Sequence, residues 1–191
     1  MNGDASALCQ AALERFRRGQ VDEAIREMRL LAASGYAPAQ VFAGWASELG
    51  RSGPVNIDEA KRWYAAAAES GDAVGQYYLG TLLVRQGDTA AGASWIKRAA
   101  TQDYAPALYR LGRLHEGAVG VEDDPEESLR LMKRAAAIGH PFAQRWIAVR
   151  GIKGREGALG VLRGLMWFVS APVLAVRLGW NEPDDPNILE R

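Results

Sequence analysis

The chain has 191 residues, of which 48% are hydrophobic and 24% charged, with 23 basic residues against 23 acidic ones. That apolar content can bury a core and excludes a disordered chain. A formal net charge of zero argues against a protein whose whole surface binds nucleic acid or anionic lipid. Cys9 is the single cysteine, which rules out an intrachain disulfide and a cysteine-based metal cluster. Residues 1–18 show no basic start followed by an apolar run, so no secretory signal is expected and the cytoplasm is the default compartment.

Taken in chain order, the sequence predicts pairs of helices, A then B, with alanine rows at helical spacing. The first helix B carries Ala24, Glu27, Met28, Leu31 and Ala32, after a tight Gly19-Gln20 connection, and closes at Gly35. The second pair has Ala39, Ala43, Gly44 and Ala46 on helix A and Ala60, Trp63, Tyr64, Ala67 and Ala68 on helix B. In the third these rows read Gly75, Leu79, Gly80, Leu83 and Gly92, Trp95, Ile96, Ala99, Ala100. In the fourth they read Ala107, Leu111, Gly112, Leu114 and Ser128, Leu131, Met132, Ala135, Ala136.

The closing residues Gly35, Gly71, Asp103 and Gly139 lie 36, 32 and 36 residues apart. A fixed period of this size signifies stacked two-helix units. Gly44, Gly80 and Gly112 occupy one repeat position. A glycine inside a helix costs about 1 kcal/mol against alanine, so its recurrence predicts close approach of helix B. Gly35, Gly71 and Gly139 suit left-handed caps, with Asp103 in the same place. Asp58 and Asp124 fall at helix starts, and Pro125 suits a first helical turn. Short connections make neighbouring helices antiparallel. The expected fold is an all-α, right-handed α-solenoid of about four helix-turn-helix repeats. The units run about 5–35, 36–71, 72–103 and 104–139, with a partial fifth from 140. A C-terminal helical segment over 151–181 and an acidic tail over 182–191 complete the chain.

The segment Leu111-Gly112-Arg113-Leu114-His115-Glu116-Gly117, continuing through Gly120-Val121-Glu122-Asp123-Asp124 to Ser128, Ala135-Ala136 and Gly139, resembles a Sel1-like repeat. That pattern runs Leu-Gly-x-x-Tyr, Gly-Val-x-x-Asp, Ala-x-x-Trp-Tyr, Ala-Ala and a closing Gly. His115 stands at the tyrosine, the third unit lacks the Gly-Val-x-x-Asp loop, and the first unit is the most degenerate. The resemblance covers about residues 5–150. It implies a fold similar to tetratricopeptide repeats, in a family common among bacterial signalling and envelope adaptors.

No catalytic constellation emerges, and neither a cofactor nor a metal is expected. The two histidines, His115 and His140, are far apart in sequence; one fills a tyrosine position and the other follows a helix cap. The acidic run Glu122, Asp123, Asp124, Glu126, Glu127 straddles a helix start, where carboxylates meet unsatisfied N–H groups. By analogy with other solenoids, helices A line a concave face. Their equivalent positions read Val41, Tyr77, Tyr109, Arg145 and, one turn on, Trp45, Thr81, Arg113, Val149. Aromatic and arginine side chains anchor interfaces, so Trp45, Tyr77, Tyr109, Arg113 and Arg145 are the expected contacts for a protein or peptide. The alternative is that these rings pack between repeats.

Beyond Ala143 the chain turns basic, and residues 157–176 carry Arg163 as their only charge. Three readings stand: a helix capping the repeats, a helix on a membrane surface, or a membrane span. Arg163 and Arg177 would share a polar stripe with Trp167 and Trp180 at the interface, beside Phe168. Basic residues before the segment and acids after it fit a span, while Arg163 and Pro172 interrupt one. The function expected is a non-catalytic adaptor holding a protein or peptide in the helix A groove. The alternative is an assembly protein attached to a membrane, peripheral to the inner membrane, through residues 157–180. No nucleic-acid partner is expected.

Overall fold

The helix pairs foreseen from the alanine rows form as pairs. The structure, a computed structural model, describes residues 2–51 and 53–152, and every element among them is an α-helix. These are α1 (Asn2–Arg17), α2 (Val21–Ala33), α3 (Ala37–Glu48), α4 (Ile57–Glu69), α5 (Ala73–Arg85), α6 (Thr89–Thr101), α7 (Ala105–Glu116), α8 (Pro125–Ala137) and α9 (Pro141–Ile152). Two compact units divide them, the first running to Ala99 and the second from Ala100, so that the boundary falls in the last turn of α6. Arg163, Trp167, Phe168, Arg177 and Trp180, with the whole of 153–191, lie outside the described residues. Among those described, no helix is long and apolar enough to cross a membrane.

Local chemistry sets the helix ends. Gly35, Gly71 and Gly139 take φ of 89°, 93° and 102° after α2, α4 and α8. Asp103 takes the same left-handed turn at φ 57°, a conformation that a short polar side chain tolerates better than a branched one. At the starts, Asp72 accepts from the Gly75 N–H at 2.7 Å, and Asp124 from Glu126 and Glu127 at 3.1 and 2.9 Å. Within the acidic run, Asp124 therefore caps α8, with Glu126 and Glu127 in its first turn. Asp58 lies in the first turn of α4, and the capping side chain is Asn56, which accepts from Glu59 at 3.0 Å.

Inside unit 1, the repeat glycines make room for helix B. A Cβ on Gly44 would fall 2.5 Å from the Tyr64 ring. One on Gly80 would fall 2.7 Å from the Gly92 carbonyl oxygen, so α5 and α6 meet backbone to backbone. In unit 2, Gly112 faces Met132 at 3.1 Å, a looser fit against a flexible side chain. The core of unit 1 joins Ile25, Met28, Phe42 and Trp45 in one cluster and Val41, Tyr64, Leu79 and Leu82 in another.

A side-chain device not evident from the alanine rows ties successive pairs. The Gln40 amide donates to the Ala32 carbonyl, Gln76 to Ala68, and Gln144 to Ala136, at 3.2, 3.3 and 3.2 Å. Each glutamine thus satisfies a carbonyl at the end of the preceding helix, where the intrahelical ladder runs out. Leu108 occupies the same position on α7 and has no donor to offer.

Candidate functional site

Helices A differ in how much of their surface is free. On α3, every residue from Ala39 to Ser47 is buried. The helix packs on α2, α4 and α5, while its Trp45 and Phe42 rings meet Phe16 of α1 at 5.6 and 5.4 Å. Trp45 is 1% exposed, with Arg51 stacked over its ring at 5.2 Å. On α5, Tyr77 is 4% exposed and Thr81 is buried, as is Val41 on α3. The expectation that Trp45 and Tyr77 offer open anchors is therefore corrected: both rings belong to the interior of unit 1. Register alone does not reveal that these positions are covered.

Unit 2 is different. Tyr109 on α7 is half-buried, and Arg113 on α7 and Arg145 on α9 are exposed. Tyr109 stacks on the His140 imidazole with centroids 4.8 Å apart and planes at 23°, and Phe142 closes the cluster 6.2 Å away. From there a polar row crosses from α7 to α9. Arg113 pairs with Glu116 at 3.2 Å, the Trp146 indole N–H donates to the same carboxylate at 3.1 Å, and the Arg150 guanidinium lies 5.3 Å over the Trp146 ring. Sequence reasoning missed Glu116, Trp146 and Phe142. Their signal was available: Trp146 stands at the repeat position of Phe42 and Tyr78, whose rings also contact neighbouring helices.

His140 is 3% exposed and caps α9, its Nδ1 accepting from the Ala143 N–H at 3.3 Å. It holds the place that Asp72 holds before α5. Burial lowers its pKa to about 4, so the imidazole is neutral near pH 7 and able to accept. His115 instead lies on the far end of α7, its Nδ1 2.9 Å from the Glu122 carbonyl oxygen, where it pins the loop ahead of α8. In unit 1, Tyr64 donates to Glu48 at 2.8 Å, and Arg85 pairs with the same carboxylate. Burial and the Glu48 charge raise the Tyr64 pKa. These are ties within the fold: His140 caps α9, His115 holds a loop, and Tyr64 and Arg85 meet Glu48 of α3. Among the described residues, no group of three or more His, Cys, Asp or Glu side chains is placed to hold a metal ion.

The surface that unit 2 presents is thus an aromatic cluster beside a short row of arginines on α7 and α9. Such a surface can bind by stacking and by charge-assisted hydrogen bonds. Comparison with known proteins agrees with the fold. The Sel1 repeat family model matches residues 37–72, 73–104 and 105–140, more than half of the chain. Chitin synthase regulatory factor 3 of Schizosaccharomyces pombe is 32% identical over 136 residues, covering 65% of this chain and 14% of that protein. This chain therefore spans a small part of that relative. A Sel1 repeat protein from Oxalobacter formigenes superposes with a TM-score of 0.73 at 23% identity, over 87% of this chain and 68% of the other. A protective antigen of uropathogenic Escherichia coli strains, with an SLR fold, superposes with a TM-score of 0.70 at 24% identity, over 90% and 39%. At such identities the two structures speak for the fold alone.

Proposed function

The chain belongs to the Sel1 repeat family, and from that premise we propose that it is a non-catalytic adaptor. Its contact surface for a protein or peptide is the α7 and α9 face of unit 2. The observation that carries this reading is the exposure of Arg113 and Arg145 beside the half-buried Tyr109, on helices whose counterparts in unit 1, α3 and α5, are buried at the same positions. A side chain anchors a partner only where the partner can reach it. Tyr109 offers a rigid ring, already held against His140, so little rotamer freedom is lost on contact. Arg113 on α7 and Arg145 on α9 offer planar donors.

The test is a pull-down with the full chain. Reversing charge with Arg113→Glu and Arg145→Glu should remove partners captured by the wild type while the helical circular-dichroism signal is retained, with only a small fall in melting temperature from the lost Arg113–Glu116 pair. The control, Leu30→Ser, alters an exposed apolar residue of unit 1 and should leave capture intact. Partners retained by the double variant would refute the assignment. The alternative of membrane attachment through residues 157–180 rests on their composition; deleting 156–191 and fractionating cells separates it from the adaptor reading.

A further inference from the structure

The charge on this face is one-sided, and that bears on what it holds. On α7 and α9, Arg113, Arg145 and Arg150 stand with one acidic residue of those helices, Glu116. On α3 and α5 of unit 1 the charged residues are Glu48 and Arg85, which pair with each other. The surplus is therefore a property of unit 2's helices A and not of the repeat. Elsewhere in unit 2 arginines find local acids: on α8, Arg130 pairs with Glu127 and Arg134 with Asp103. Arg145 is exposed and, among the described residues, in no ion pair.

From this charge segregation we infer that the partner segment is an acidic peptide, with carboxylates that meet Arg113 and Arg145 and an apolar or aromatic side chain against Tyr109. The inference rests on the α7 and α9 face being the contact surface. Guanidinium forks match carboxylates in geometry and stay charged at any working pH. Phosphate would match too, but a continuous nucleic-acid backbone fits this surface poorly. Glu116 sits within the row, paired with Arg113 and hydrogen-bonded to Trp146, and would repel phosphates placed along it. The chain as a whole carries no net charge to draw in a polyanion. A peptide with a few spaced carboxylates avoids Glu116.

Fluorescence polarisation with the full chain tests this, using a short labelled peptide that alternates Glu with Leu and Tyr. The comparisons are the same peptide with Gln for Glu, and a uridine oligonucleotide. The Glu peptide should bind about tenfold or more tightly than the Gln version and weaken as salt rises from about 50 to about 300 mM. Arg113→Ser with Arg145→Ser should abolish the preference. Arg145→Gln alone, at an exposed residue in no ion pair among the described residues, should reduce it severalfold without any effect on folding. Equal binding of the Gln peptide, or none of either, overturns the acidic class. Displacement of the Glu peptide by lower concentrations of the oligonucleotide overturns it in favour of nucleic acid. In each case the charge-reversal pull-down still decides independently whether this face is the contact surface.

Discussion

Helices α3 and α5 of unit 1 and helices α7 and α9 of unit 2 occupy the same place in their repeats yet have opposite surfaces. At the position of Trp45, the repeats carry Trp, Thr, Arg and Val in turn; at that of Val41 they carry Val, Tyr, Tyr and Arg. In unit 1 both positions are buried, whereas in unit 2 Arg113 and Arg145 are open. The repeat framework is carried by other residues: the alanines of helix B, the capping residues and the glycine contacts. Helix A positions are thus free to become core in one unit and exposed surface in the next.

The contrast can be broken most forcefully at Trp45. Replacing this buried ring by alanine should destabilise unit 1 by about 3–5 kcal/mol, read as a lowered urea midpoint with tryptophan or circular-dichroism signals. A loss below about 1 kcal/mol would mean that the ring is more open than its burial indicates. The next effect concerns unit 2 and pH. His140 titrates at about 4 in the fold against 6.5 for the free side chain. The unfolded chain therefore takes up the proton first, and the stability of unit 2 should fall as pH drops from about 6.5 towards 4, then level off. A shift of this size corresponds to about 3 kcal/mol. His140→Asn, which keeps a capping acceptor, should flatten the pH dependence in that window; an unchanged slope would assign it to other groups.

Gly80→Ala should cost about 1–3 kcal/mol through its backbone clash with α6, while Gly112→Ala, facing the flexible Met132, should cost less. Equal losses would show that α7 and α8 are as tightly packed as α5 and α6. Gln40→Leu, which installs the residue found naturally at 108, should cost about 1 kcal/mol, measurable by thermal melting against Gln76→Leu. Smallest of all, Arg145→Gln should change stability by less than about 0.5 kcal/mol while lowering partner capture, separating contact from core.

Much of the fold was legible because its signals are local. The αL caps follow from Gly35, Gly71 and Gly139, and even Asp103 betrayed itself by standing in a glycine's place. The close helix approach followed from the recurrence of Gly44 and Gly80. Exposure was harder to read. Register gives the repeat positions of Trp45 and Tyr77, whereas their burial depends on which helices cover them, a tertiary property. A hint lay in the run Val41-Phe42-Ala43-Gly44-Trp45-Ala46, which is apolar all round its helix and so marks a buried element. Likewise His140 reads as a residue after a cap until Tyr36, Asp72, Tyr104 and His140 are aligned as the starts of α3, α5, α7 and α9.

Side-chain oxidation footprinting of the full chain, with and without its captured partner, tests the central claim most directly. The account predicts that free Tyr109 and Trp146 are oxidised while Trp45 and Tyr77 are spared, and that the partner protects Tyr109 and Trp146 but not the exposed Leu30 and Val55 of unit 1. Protection confined to Leu30 and Val55, with Tyr109 and Trp146 oxidised as before, would contradict it.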